Sequence, residues 1–110
     1  RLFQRGGQQA RNPESVEKLY NQYSEAIKIQ RSERIEETDE QRNKRLLLMD
    51  GVRSISVISD VMYQTKSREK RKQMEDLIIE ISREAVNETA TRSQIKQKAK
   101  QIRKENGSSK

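Results

Sequence analysis

Residues 46–63 read Leu-Leu-Leu-Met-Asp-Gly-Val-Arg-Ser-Ile-Ser-Val-Ile-Ser-Asp-Val-Met-Tyr, and the fold class turns on how they are read. Eleven of these eighteen side chains are large and apolar, so the core is here. An Asp-Gly pair between apolar flanks signals a β-hairpin, and Val, Ile and Ser suit strands. Against that, Leu46 to Met49 is a continuous apolar run, and Val57-Ile58 breaks a period of two. Leu48, Val52, Ile55 and Met62 instead share one helical face, with Ile58 beside it. The segment is read as helical, and Asp50-Gly51 as the point where the chain reverses.

Working outward, breakers are sparse. Glycine occurs only at 6, 7, 51 and 107, and Pro13 is the sole proline. Asn12-Pro13-Glu14 reads as a helix start, with Asn as cap, Pro in the first turn and an acid beside the positive end of the helix dipole. Val16, Tyr20, Tyr23 and Ile27 then form a helical stripe, with Leu19 and Ala26 alongside. From Gln30 to Arg45 the only large apolar residue is Ile35, among five acids and five bases. This stretch reads as a solvated helix or a connection. Met74, Leu77, Ile78, Ile81 and Ala85 make a further stripe, with Ile79 to one side. After the soft break Asn87-Glu88-Thr89-Ala90-Thr91, the pair Thr91 and Gln94 fits a capping box for a last helix carrying Ile95, Ala99 and Ile102.

The expected architecture is therefore all-α: an elongated helical hairpin or small bundle of three to four helices, with helices over 14–29, 46–63, 73–87 and 92–105. Residues 1–12 are expected to be a basic arm, 13–105 a single domain and 106–110 a tail. Leu48, Val52, Ile55, Ile58, Met62, Met74, Leu77, Ile78 and Ile81 should form the main buried cluster. Leu, Ile, Val and Phe together make up 20% of the 110 residues, which is near the lower limit for folding on a core alone. Leu47, Val57 and Val61 lie off the main stripe, so an oligomer, or docking into a larger assembly, is expected to cover them.

Charge decides the functional classes. The chain carries 24 bases and 17 acids, a formal charge of +7, with no His and no Cys. That excludes imidazole and thiolate chemistry, disulfides and zinc sites of the usual ligand types. Among the remaining groups, Glu33 and Glu37 fall one helical turn apart, as exposed pairs often do. Residues 36–40 lack the glycine and ligand spacing of a calcium loop. Ser67 and Lys70 fit a solvated surface, and Gly6-Gly7 precedes no phosphate-binding strand–helix unit. No enzyme, cofactor or metal is expected. Nor is a membrane span, since no run approaches the roughly 20 apolar residues required. The absence of Cys is compatible with an intracellular protein. The sequons at Asn87 and Asn106 carry little weight at this length. Arg rather than Met stands first, as in a processed chain or fragment.

The excess charge is local: +3 over residues 1–12, +4 over 64–73 and +6 over 91–110, against −4 over 74–90. On helices, Lys66 and Lys70, or Arg68 and Lys72, repel one another at i, i+4, a cost that a polyanion would relieve. The expected nucleic-acid contacts are Lys66, Arg68, Lys70, Arg71 and Lys72 together with Lys96, Lys100, Arg103 and Lys104, assisted by the arm. Bases leading into an apolar helix at 68–72 resemble the start of a basic helix–loop–helix or basic-zipper region. The base-reading Asn and the later leucine heptads of those regions are missing, so no family follows. Tyr20, Tyr23 and Tyr63 are placed in apolar stripes, which leaves no aromatic platform for single strands. The expected function is a basic α-helical nucleic-acid-binding accessory or packaging protein that contacts phosphates with little sequence specificity. The alternative is a helical scaffold, adaptor or oligomerisation module that binds only protein, its acidic third and basic fourth helices neutralising each other. A basic surface for acidic lipids is disfavoured by the lack of Trp.

Overall fold

A computed structural model describes residues 14–31 and 36–105, and the expected arm and tail lie outside them. Four helices follow in order: α1 Glu14–Arg31, α2 Asp39–Gln64, α3 Arg68–Asn87 and α4 Arg92–Glu105. No strand occurs among the described residues, which settles the hairpin question in favour of helix.

Three of the helix starts are fixed by side-chain caps that leave few amide donors orphaned. The Thr38 hydroxyl accepts from the Gln41 amide at 3.0 Å, and the Gln41 side chain accepts from the Thr38 amide at 2.9 Å. This capping box divides the polar stretch and starts α2 seven residues earlier than its apolar content indicates. The expected box at Thr91 and Gln94 is present, at 3.1 and 2.9 Å. Ser67 caps α3, its hydroxyl accepting from the Lys70 amide, so the Ser67–Lys70 pair serves backbone geometry. At the far end of α3, Glu88 takes the left-handed conformation (φ 57°) and donates its amide to the Glu84 carbonyl.

The helices bury one connected core. Val16 and Leu19 from α1, Leu48, Ile55 and Ile58 from α2, Met74, Ile78, Ile81 and Ala85 from α3, and Ile95 from α4 are all closed to solvent. Seven of the nine expected core residues are buried, while Val52 and Leu77 pack against the cluster partly exposed. Truncating any of the large ones to Ala would cost about 2–5 kcal/mol. α2 touches the other three helices and is the axis of the bundle.

Asp50-Gly51 is where the sequence reading needs correcting. Both residues are buried in the middle of α2, and the chain does not reverse there. A side-chain carbon built on Gly51 would lie 3.0 Å from the Ala85 methyl and 3.5 Å from Leu19. Glycine is therefore present because α1, α2 and α3 approach one another at this level. Its helix-propensity cost, about 1 kcal/mol, is offset by that approach. Asp50 is 2% exposed and paired with Arg92 at the start of α4. A turn signal and a helix-packing signal are here the same dipeptide.

The side chains that motivated self-association are partly covered within one chain. Leu47 is buried, and Val57 and Val61 pack against the core. No described helix is long and apolar enough to cross a membrane.

Candidate nucleic-acid interface

Helix registers place the basic residues. Asp50 meets Arg92, and the Ser54 hydroxyl donates to the Ile95 carbonyl. Both partners advance together, so α4 runs parallel to α2. Arg92 meets Asp50, next to Gly51 that faces Ala85, and Lys98 six residues on donates to Glu84 and Glu80, so α4 runs antiparallel to α3. At about 1.5 Å per residue, Arg103 lies level with Met62, close to the 65–67 link and the first turn of α3. Arg103 and Lys104 thus reach the end of the bundle at which residues 66–72 lie, while Lys96 stands farther up, level with Ile55.

Direction around each helix separates them. Lys98 faces α3, whereas Lys96, Lys100 and Arg103 step to the flank of α4 turned away from α3. Arg68 and Lys72 fall in line with Ile79, eleven and seven residues on, which faces α1 in a groove shared with Glu14, Lys18 and Arg83. The two clusters share an end but occupy different flanks, with the outward side of α2 between them.

All nine expected contact residues are exposed. Of the nine, Lys72 alone makes an ion pair among the described residues, a 3.5 Å contact with Asp76 in which both side chains are mostly exposed. Such a pair contributes about 0–1 kcal/mol and yields readily to a phosphate. The other eight are exposed and have no carboxylate in contact among the described residues.

The bases that do serve the fold are others. Lys98 donates to Glu84 at 2.7 Å and to Glu80 at 3.2 Å. Burial opposes its charge, but the hydrogen bonds and proximity of both carboxylates prevail and hold its pKa above the ordinary lysine value. Lys44 donates to the Val86 carbonyl at 2.6 Å and to Glu88 at 3.1 Å, tying α2 to the end of α3. Arg45 grips Glu37 through two hydrogen bonds, at 2.8 and 3.2 Å. Those bonds, with the Arg45 charge, hold the Glu37 carboxyl below its ordinary range. Neutralisation between α3 and α4 therefore occurs through Lys98, a residue outside the expected contact set. The expected set is left over.

One aromatic residue departs from its predicted place. Tyr20 and Tyr23 are half-buried, and burial raises the Tyr20 pKa. Tyr63 instead is 61% exposed in the last turn of α2. Its position on the wheel was the available signal, because it lies about 100° from Ile55 and Met62 at the margin of the apolar face.

A separate cleft of about 530 Å³ lies between the second half of α1 and the first half of α2, walled by Ala26, Ile29 and Leu48. Its charged rim includes Glu37, Lys44 and Glu88, which are already engaged in the ties above. No group of His, Cys, Asp and Glu positioned to hold a metal occurs among the described residues.

Comparison with family models, with curated proteins and with solved structures found no match to this chain.

Proposed function

We propose that this chain is a nucleic-acid-binding accessory or packaging protein that contacts phosphates through the basic end of its bundle, with little sequence preference. The observation that carries this reading is the partition of the bases. Glu80 and Glu84 of α3 are met by Lys98, while eight of the nine residues at 66–72 and 96–104 assigned to phosphates make no ion pair among the described residues. A protein-only scaffold would more readily present an apolar face. The off-stripe Leu47 is instead buried within the chain, and Val57 and Val61 are partly buried against its core. Exposed cations on rigid helix ends can neutralise phosphates, but base edges are read by Asn, Gln or bidentate Arg on a helix seated in a groove. Low specificity follows.

Fluorescence anisotropy of a labelled mixed-sequence oligonucleotide, titrated at 50 and 200 mM salt, tests the proposal. Engagement of about six phosphates would weaken binding on the order of a thousandfold over that range. Absence of binding at the lower salt would leave the protein-only scaffold as the reading. Oligomeric state enters here as a further proposal: dimers would double the basic surface, and light scattering with and without oligonucleotide would reveal them.

A further inference from the structure

Gly51 marks the side of α2 that faces α1 and α3, since a side-chain carbon there would touch Leu19 and Ala85. α4 meets α2 through Asp50 and Ser54, about 60–100° around the helix from Gly51. At about 100° per residue, Arg42, Leu46, Met49, Arg53, Ser56 and Asp60 all fall about 140–180° from Gly51. That is the side of α2 turned away from its three neighbouring helices. Leu46 and Met49 are only partly buried there, and the other four residues are exposed. Along the chain the six are spaced by 4, 3, 4, 3 and 4 residues. This alternation is the one by which a helix presents a straight seam to another helix. Within one chain the charges of the seam are little used. Arg42 makes a 3.4 Å contact with Asp39 in which both side chains are mostly exposed. Arg53 and Asp60 make no ion pair among the described residues.

We infer that a second copy of this chain docks antiparallel on this side of α2, forming a two-fold dimer. The occupant follows from the order of chemistry along the seam, which is complementary to its own reverse. With the two-fold axis level with Gly51, Arg42 of one copy meets the partner's Asp60. Leu46 then meets the partner's Ser56, with Val57 beside it, and Met49 lies under the stem of the partner's Arg53. Two-fold symmetry repeats each contact, so charged pairs close both ends of a centre holding Leu46 and Met49 from each copy. A parallel pair would set Arg42 against Arg42 and Asp60 against Asp60, so charge selects the antiparallel arrangement. The seam contains none of the nine residues assigned to phosphate, and the inference does not rest on that reading. It places the 66–72 segments of the two copies at opposite ends of the α2 pair. Two apolar residues per copy make a small interface, so association should be weak, half-complete at about 0.1 mM.

Sedimentation velocity on the full chain, from about 10 µM to about 1 mM, tests the dimer. Asp60→Arg should weaken association about tenfold, because each dimer exchanges two attractions for two repulsions. Arg42→Asp should do the same, and the two reversals combined should restore wild-type association. An acid near the start of α2 and a base near its end both suit the helix dipole. Circular dichroism melts should therefore stay close to the wild type in all three variants. The register is read by crosslinking, since the chain has no cysteine of its own. A mixture of Leu46→Cys and Ser56→Cys chains should form a disulfide-linked pair under mild oxidation. Neither chain alone should do so, because the axis holds equivalent positions about 15 Å apart. A wild type that stays monomeric throughout, or an association unmoved by either charge reversal, would overturn the proposal. So would Ser56→Cys chains that crosslink to one another in preference to Leu46→Cys chains.

Discussion

The two ends of this bundle use their charged residues in opposite ways. Where α2 and α4 begin and α3 ends, bases meet acids across helices: Lys44 with Glu88, Arg45 with Glu37, Arg92 with Asp50. Where α2 and α4 end and α3 begins, Lys66, Arg68, Lys70, Arg71, Lys100, Arg103 and Lys104 stand exposed without such partners among the described residues. At the first end charge fixes how helices pack. At the second it does nothing for packing, and like charges one turn apart work mildly against the helix. Retaining them there is consistent with a charged ligand.

Substitutions at the tied end should therefore damage folding, and those at the open end should not. The largest effect is expected beside Asp50. Gly51→Leu drives a branched side chain into Ala85 and Leu19 and should destabilise by about 3 kcal/mol or more, lowering the melting midpoint by more than about 12 °C. Arg92→Ala leaves the buried Asp50 carboxylate without its partner. Because the Arg92 side chain is 43% exposed, water can replace part of the lost contact, and a loss of about 2 kcal/mol in urea denaturation is expected.

Acid should reach the tied end first. Glu37 has a folded pKa below its unfolded value, so its pairing stabilises the fold above the ordinary glutamate range. That contribution is lost as pH falls from there through the lowered folded value. Arg45→Gln should remove this portion of the acid sensitivity, visible as a flatter dependence of the urea midpoint on pH. A smaller gain is expected at Glu88, whose left-handed backbone suits glycine. Glu88→Gly should relieve about 1 kcal/mol of strain, reduced by loss of the mostly exposed Lys44 contact. The smallest effect belongs to the open end: replacing Lys66, Arg68, Lys70 and Arg71 with Gln should change stability by less than about 0.5 kcal/mol in urea.

What the sequence made legible follows from this contrast. Helical stripes survive any arrangement of neighbours, so α1, α3 and α4 were readable, as was the box at Thr91 and Gln94. The box at Thr38 and Gln41 was equally readable in principle, but it sits in a polar stretch where no apolar stripe announced a helix. Asp50-Gly51 misled because its meaning depends on Ala85 and Leu19, distant in sequence and adjacent only after folding. The basic residues were legible as clusters. Their separation from Lys98 was not, because it required knowing that α4 runs antiparallel to α3 at one particular register. Tyr63 was misplaced for a similar reason: how far a residue at the margin of a stripe is exposed depends on where the neighbouring helices lie, which the sequence does not give.

The most direct test is the slope of log affinity against log salt concentration for a labelled oligonucleotide. It should be measured for the wild type, for the four-fold Gln variant at 66–71, and for Lys98→Gln. The open-end variant should lose about 0.9 of slope for each phosphate contact removed while melting like the wild type. Lys98→Gln should melt lower and keep the wild-type slope. A slope unchanged in the open-end variant, or reduced as much by Lys98→Gln, would contradict the assignment of the exposed cations to phosphate.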